Sequence, residues 1–232
     1  MKNIVSKIAI CSIVTLVACK KEKNVEPSNC SQQIATTQTY PNYSNLKVGN
    51  YWIYERFIVD EFGVATSLNQ FDSCYVEKDT LINGMTYFKY MSSKYNFPSV
   101  MPLNQNPITA EYYRDSLSYI VSSVGRIEFS SDDFSSIFKL EYVFDNPPND
   151  TVCKVISKMG DQNLNVSLPL GNFTTSSFKE TYYMTPINNF FGAIRYRDTR
   201  YAENVGKVTE GFNFFLSNPN RWERRLIRYH LN

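Results

Sequence analysis

Asn50-Tyr-Trp-Ile-Tyr-Glu-Arg-Phe-Ile-Val-Asp60 is dense in aromatic and β-branched residues and carries no helical repeat. Such side chains favour a pleated backbone, where they pack against neighbouring strands. Trp52, Tyr54 and Ile58 fall on one face at period two, and Tyr51, Ile53, Phe57 and Val59 on the other. A strand with large apolar residues on both faces belongs in the centre of a sheet or beneath a second layer.

The same texture runs to the C-terminus, with 17 Tyr and 16 Phe in 232 residues. Asn83-Gly84 stands between strand-like flanks, the strongest short hairpin signal a sequence offers. Phe138, Leu140, Tyr142 and Phe144 alternate with Lys139 and Glu141, the pattern of a half-buried strand. Further strands are expected over 110–115, 118–122, 126–130, 151–159, 177–184, 193–201, 206–210 and 222–231. Short strands at close intervals, with turn residues between them, predict an antiparallel meander. The expected fold is all-β, or β-dominated α+β, closing into a barrel or a strongly curved half-barrel. No compositional break divides 41–232, which reads as a single domain.

Two connections exceed what a turn needs. Residues 96–109 hold Pro98, Pro102 and Pro107 with Met101 and Leu103, and residues 186–192 hold Phe190 and Phe191. Long loops with apolar side chains serve as lids or binding loops, or simply cap an open barrel end. Met101, Leu103, Phe190 and Phe191 are therefore candidates for the rim of a ligand cavity.

The N-terminus is a different kind of segment. Lys2 and Lys7 precede and interrupt a mostly apolar run ending at Ala18, too short and too polar at its start to span a bilayer. It fits a secretory signal peptide over 1–18. Leu16-Val17-Ala18-Cys19 resembles the bacterial lipobox, which implies lipid attachment to Cys19 and removal of the peptide before it. Residues 19–40 are polar, lack apolar periodicity and include Pro27, as a flexible tether does.

Removing 1–18 takes two of the 24 basic residues and none of the 22 acidic ones, so the mature chain is near neutral. No basic stripe remains, and nucleic acid is not an expected partner. Arg221, Arg224, Arg225 and Arg228 do cluster, but within a strand pattern with Glu223, and they read as a solvated strand face. Of five cysteines, Cys11 leaves with the signal and Cys19 takes the lipid. Cys30, Cys74 and Cys153 remain, without the C-x-x-C spacing of a zinc or redox site. Cys30 lies in the tether, so Cys74 and Cys153 are the candidates for a disulfide within the domain.

No catalytic chemistry is legible. His230 is the single histidine and sits in the last strand, so neither a His-based metal site nor a framed Ser–His pair can be built around it. There is no nucleophile elbow and no phosphate-binding or dinucleotide glycine loop. Asp132-Asp133 lacks the spacing and glycine of a calcium loop. No cofactor and no metal are expected.

Leu46-Lys47-Val48-Gly49-Asn50-Tyr51-Trp52-Ile53-Tyr54-Glu55 resembles the start of the domain in a group of uncharacterised lipoproteins of Bacteroidota. Leu170-Gly171-Asn172-Phe173, Asn204-Val205-Gly206-Lys207-Val208 and the final Arg224-Arg225-Leu226-Ile227-Arg228-Tyr229 are similar to later elements of that group. The resemblance implies a β-dominated lipoprotein domain, like the half-barrels that carry lipids or lipoproteins across the periplasm, and no catalytic residues. Asp79-Thr80-Leu81, Asp115-Ser116-Leu117 and Asp150-Thr151-Val152 match the O-glycosylation pattern of exported Bacteroidota proteins, making Thr80, Ser116 and Thr151 candidate acceptors.

The expected molecule is a lipid-anchored envelope protein, tethered to the outer membrane through Cys19. Its β domain would bind an apolar ligand, a glycan or an envelope protein without catalysis. A half-barrel carrier of a lipid or other apolar ligand is the alternative, and an envelope hydrolase the third reading.

Overall fold

Strand β1 (Tyr51–Val59) lies in the middle of the sheet, flanked on one side by β2 (Ala65–Ile82) and on the other by β13 (Arg221–His230). Its sequence demands that place: Trp52, Tyr54, Phe57 and Val59 are all buried, so both faces of the strand are covered. The computed structural model describes residues 39–93, 108–145, 150–190, 192–213 and 221–232. Gln38–Asn232 form one compact unit.

The remaining strands are β3 (Met85–Ser93), β4 (Ile108–Ser116), β5 (Tyr119–Ser122), β6 (Ile127–Ser130), β7 (Ile137–Phe144), β8 (Thr151–Met159), β9 (Leu164–Leu168), β10 (Gly171–Met184), β11 (Ile194–Ala202) and β12 (Gly206–Asn213). They form one antiparallel sheet in the order β6-β5-β4-β3-β2-β1-β13-β12-β11-β10-β8-β7, with β9 paired to the first half of β10. Among the described residues there is no α-helix, only a 3-10 turn at Pro186–Asn188, so the all-β expectation holds and its α+β variant does not.

The turn between β2 and β3 places Asn83 at φ 50° and Gly84 at φ 77°. Two successive positive φ values match the right-handed twist of a hairpin, and Asn-Gly tolerates them. Curvature comes from bulges, which bend a strand by inserting an unpaired residue. The β1–β2 register shifts between Glu55 and Phe57, and β1–β13 between Ile53 and Tyr54. The β11–β12 register shifts between Arg200 and Tyr201.

The bent sheet brings its two ends together. Tyr119 of β5 meets the Phe138 ring of β7 edge-on at 6.1 Å, and the Ser130 amide of β6 donates to Met159 Sδ of β8 at 3.2 Å. No ladder joins β6 to β7, so the barrel is nearly closed rather than closed.

The core is aromatic. Trp52, Tyr54, Tyr90, Tyr113, Ile120, Phe129, Met159, Phe178, Tyr201 and Leu226 form one buried cluster. The segment before β1 plugs it: Tyr43 packs on Phe129 at 4.7 Å between ring centres, and Ser44 Oγ donates to Asp115 at 2.6 Å. Leu168 and Phe173, from the β9–β10 hairpin, pack against the same cluster, which includes Ala202 and Val208.

Candidate functional site

The curved sheet has an inner lining of two kinds. One is the aromatic cluster, whose members fill the space between them. Trp52 donates from Nε1 to the Val205 carbonyl at 2.7 Å, and Tyr54 donates from its hydroxyl to the Lys207 carbonyl at 2.8 Å. Both polar tips are thereby satisfied while the rings remain dry, as buried Trp and Tyr require. The cavity left among Trp52, Tyr90, Tyr113, Ile120 and Tyr201 is about 30 Å³, room for about two waters.

The other lining is charged. Period-two alternation on β13 sends Trp222, Arg224 and Leu226 to one face and Arg221, Glu223 and Arg225 to the other. Arg224 is 4% exposed, forms an ion pair with Glu210 of β12, and donates to Ser92 Oγ at 3.3 Å. Its guanidinium lies over the Tyr54 ring at 4.8 Å. Glu210 also receives Lys207 at 3.2 Å and Arg197 at 3.3 Å, and Arg197 continues to Glu180 at 3.0 Å. Burial pushes the Glu210 carboxyl up, but Arg224, Lys207 and Arg197 together overcome it and hold the group well below the usual carboxylate range. Arg56 and Asp72 make a second buried, two-pronged pair. A polar cavity of about 60 Å³ lies among Glu128, Ser157, Glu180, Arg197 and Glu210.

The reading of 221–228 as a solvated face is thus corrected for Arg224, which is interior. Arg221 and Arg225 do point outward, into a feature the sequence did not disclose. Strand β9 reaches β13 across the outside of the sheet, leaving a groove of about 310 Å³ against β11, β12 and β13. Asp198, Arg200, Arg221, Glu223 and Arg225 line it, with Gly211 at the floor.

The floor is open because Gly211 pairs with Glu223 and has no side chain; a Cβ there would lie 3.2 Å from the Asp198 carbonyl oxygen. Arg225 is held by Glu223 at 2.5 Å and by the Phe57 ring at 4.8 Å. Arg200 donates to Asp161 at 2.7 Å. Burial raises the Asp198 carboxyl above its ordinary value, against the opposing pull of Lys179 and Arg200. Among the described residues, Asp198 Oδ1, Arg200 Nη1 and Arg221 Nε are buried and make no hydrogen bond.

A second external feature is an apolar face. Leu140 and Tyr142 of β7, Tyr183 of β10, and Ile194 and Tyr196 of β11 are 42–53% exposed and come from neighbouring strands of the sheet. Ladder pairs join Tyr183 to Ile194 and link Leu140 through Ile156 and Thr181 to Tyr196. Lys179 sits over the Tyr196 ring at 4.1 Å.

The sequence-predicted sites fall as follows. The connections 94–107 and 185–193 follow β3 and β10, which both run in the direction of β1 and end at the same end of the sheet. Phe190 is 71% exposed there. Met101, Leu103 and Phe191 lie outside the described residues, as do Cys19, Cys30, the signal segment 1–18 and all but the last two residues of the tether 19–40. Cys74 and Cys153 are free and buried, so the candidate bridge is not made. The reason is placement: Cys74 is in the main core beside Ser92 Oγ at 3.2 Å, and Cys153 in a separate small cluster with Val155 and Met184. Thr80 is in β2, Ser116 ends β4 and Thr151 begins β8, each half-buried. His230 stacks on Tyr51 at 5.6 Å and pairs with Asn232 at 3.1 Å.

No protein-family model matches the chain, and no curated protein does. Among solved structures, one similar fold is a candidate lipoprotein from Parabacteroides distasonis, at TM-score 0.42 and 13% identity, covering 83% of this chain and 100% of that one. Another is a candidate exported protein with a YmcC-like fold from Bacteroides fragilis, at TM-score 0.45 and 13% identity, covering 82% of this chain and 99% of that one.

Proposed function

We propose that the chain is a lipid-anchored protein of the cell envelope, held at the outer membrane through Cys19, whose β domain binds a ligand or partner without transforming it. The anchor rests on the lipobox-like Leu16-Val17-Ala18-Cys19 and the polar stretch after it. The role of the domain rests on its filled interior. A carrier needs a chamber on the scale of small-molecule sites, about 300–1,000 Å³. The cavities against the inner lining measure about 30 and 60 Å³, and one of about 140 Å³ lies beside Tyr43, Ile120 and Phe129, all below that scale. Aromatic rings that would line a carrier's chamber pack on one another instead, which favours a binding module over a half-barrel carrier. The interior carboxylates Glu210, Glu180 and Asp72 are engaged by guanidiniums, which favours a structural role for them over a hydrolytic one.

Two measurements test this reading. In a bacterial host, Cys19→Ser is expected to abolish acyl incorporation and release the protein from the membrane fraction; a variant that labels and fractionates like the wild type overturns the anchor. Residues 20–232 purified from a bacterial lysate are expected to carry no acyl species by mass spectrometry and to show no saturable fluorescent fatty-acid binding. Stoichiometric bound lipid would instead establish the carrier.

A further inference from the structure

Strand β7 ends the sheet, and it contains no proline. Strand β8 pairs with one of its edges; among the described residues no strand pairs with the other. The far end of the sheet does not cover that free edge. Strand β6 draws up to β10, two strands in from β7, and its Ser130 amide meets the buried Met159 Sδ of β8. The closing contacts therefore lie over the inner face, and the outward N–H and C=O groups of β7 have no strand beside them. Such an edge is a template for another strand unless its side chains forbid pairing.

The side chains of β7 select which strand it accepts. Its register with β8 sets Lys139 beside Ser157 and Glu141 beside Val155, both buried, so Lys139 and Glu141 share the inner face. Leu140 lies beside Ile156 and Tyr142 beside Lys154 on the outer face, and the bulge between Ile137 and Lys139 puts Ile137 there as well. Ile137, Leu140 and Tyr142 are 51–56% exposed. Lys139 and Glu141 pair with each other at 2.5 Å, with side chains 39% and 40% exposed. A lysine alone on an edge strand guards it against pairing. A lysine and a glutamate flanking Leu140 do the opposite, because they make the edge complementary to itself. In an antiparallel pair about a two-fold axis at Leu140, each Lys139 faces the partner's Glu141. Opposite charges directly across a ladder stabilise it, and like charges oppose it. An axis at Lys139 would set lysine against lysine, and one at Glu141 glutamate against glutamate.

We propose that β7 is the contact of a homodimer, in which two copies of the chain pair β7 to β7, centred on Leu140, and join their sheets into one. The interface is isologous, the same strand serving both subunits. It seats Leu140 against the partner's Leu140 and Ile137 beside the partner's Tyr142, which covers apolar side chains that a free edge leaves in water. The filled interior and the lipid anchor are unaffected by it.

The test is sedimentation velocity of residues 20–232 with a reducing agent present, which keeps Cys30 from bridging copies. From about 5 to 500 µM the protein is expected to show a reversible monomer–dimer equilibrium. Lys139→Glu and Glu141→Lys are each expected to weaken it about tenfold or more, since either change sets like charges across both charged pairs. Both side chains are partly exposed, so the thermal midpoints are expected to stay close to wild type. An equimolar mixture of the two variants restores both opposite-charge pairs, the glutamates of one copy facing the lysines of the other. It is therefore expected to associate as the wild type does. A monomer throughout the range overturns the proposal. Single variants that dimerise like the wild type, or a mixture that stays monomeric, overturn it as well. None of these outcomes bears on the anchor, which fractionation of Cys19→Ser reads separately.

Discussion

Glu210→Gln is expected to destabilise the domain by about 3–5 kcal/mol, the cost of stripping one partner from a buried ion pair. Arg224 is 4% exposed and rests against Glu210, Ser92 and Tyr54, so a neutral partner leaves its charge buried and uncompensated. Equilibrium urea denaturation at pH 7 measures the loss. The double variant Glu210→Leu, Arg224→Met is expected to lose much less than the sum of the single changes, because removing both charges spares both desolvation penalties. Additive losses would show that the pair is not energetically coupled.

The same pair sets a pH dependence whose sign follows from its environment. The folded Glu210 carboxyl lies below its unfolded value, so between the two the unfolded chain binds the extra proton. The stabilisation is fully present above about pH 5 and is lost as pH falls through the carboxylate range. Wild type and Glu210→Gln are therefore expected to converge in stability toward acid. Curves that stay parallel down to the acid transition would contradict the linkage.

Much of this architecture is legible in the residues that carry it. The double-faced apolar pattern of 50–60 predicts a central strand, and β1 lies between β2 and β13 with both faces covered. Asn83-Gly84 predicts a tight hairpin, and both residues adopt positive φ. The interior charges are harder to see, since charged residues are seldom buried unless paired. A signal was nevertheless present: Arg224 lies two residues from Trp222 and from Leu226, which places it on the apolar face of its strand. Its partner Glu210 is 14 residues earlier on the neighbouring strand, and one chain cannot disclose that pairing.

The groove escaped for a related reason. The expected strands do not include 164–168, whose alternation Leu164-Asn-Val-Ser-Leu168 spans only five residues and whose hairpin partner begins at Gly171. The groove exists only once β9 has crossed to β13, a long-range arrangement that local pattern does not encode. The candidate disulfide is likewise not made, since both cysteines sit in strands but the sheet sends them to different clusters.

Trp52→Ala is expected to cost about 3–5 kcal/mol, the range for truncating a buried aromatic residue. On the scale of a domain this size, that lowers the thermal midpoint by roughly 6–20 °C. Three losses combine at this position. The side chain is 1% exposed, so its removal leaves a cavity in the aromatic cluster beside Tyr90, 5.8 Å away between ring centres. The Val205 carbonyl loses the indole donor that reaches it at 2.7 Å. The turn into β12 also loses its packing: Gly206 holds φ +103°, and a Cβ there would stand 3.2 Å from Trp52 Nε1, so that backbone is shaped against the indole. Trp52→Phe restores the ring but not the donor, and is expected to fall between wild type and Trp52→Ala. The chain has only two tryptophans, so Trp222→Phe leaves Trp52 as the sole indole reporter. Its emission is expected to be blue-shifted in the folded state and to move red in one step with unfolding. A red emission in the native state, or a Trp52→Ala midpoint within about 2 °C of wild type, would mean that the aromatic cluster does not hold the two halves of the sheet together.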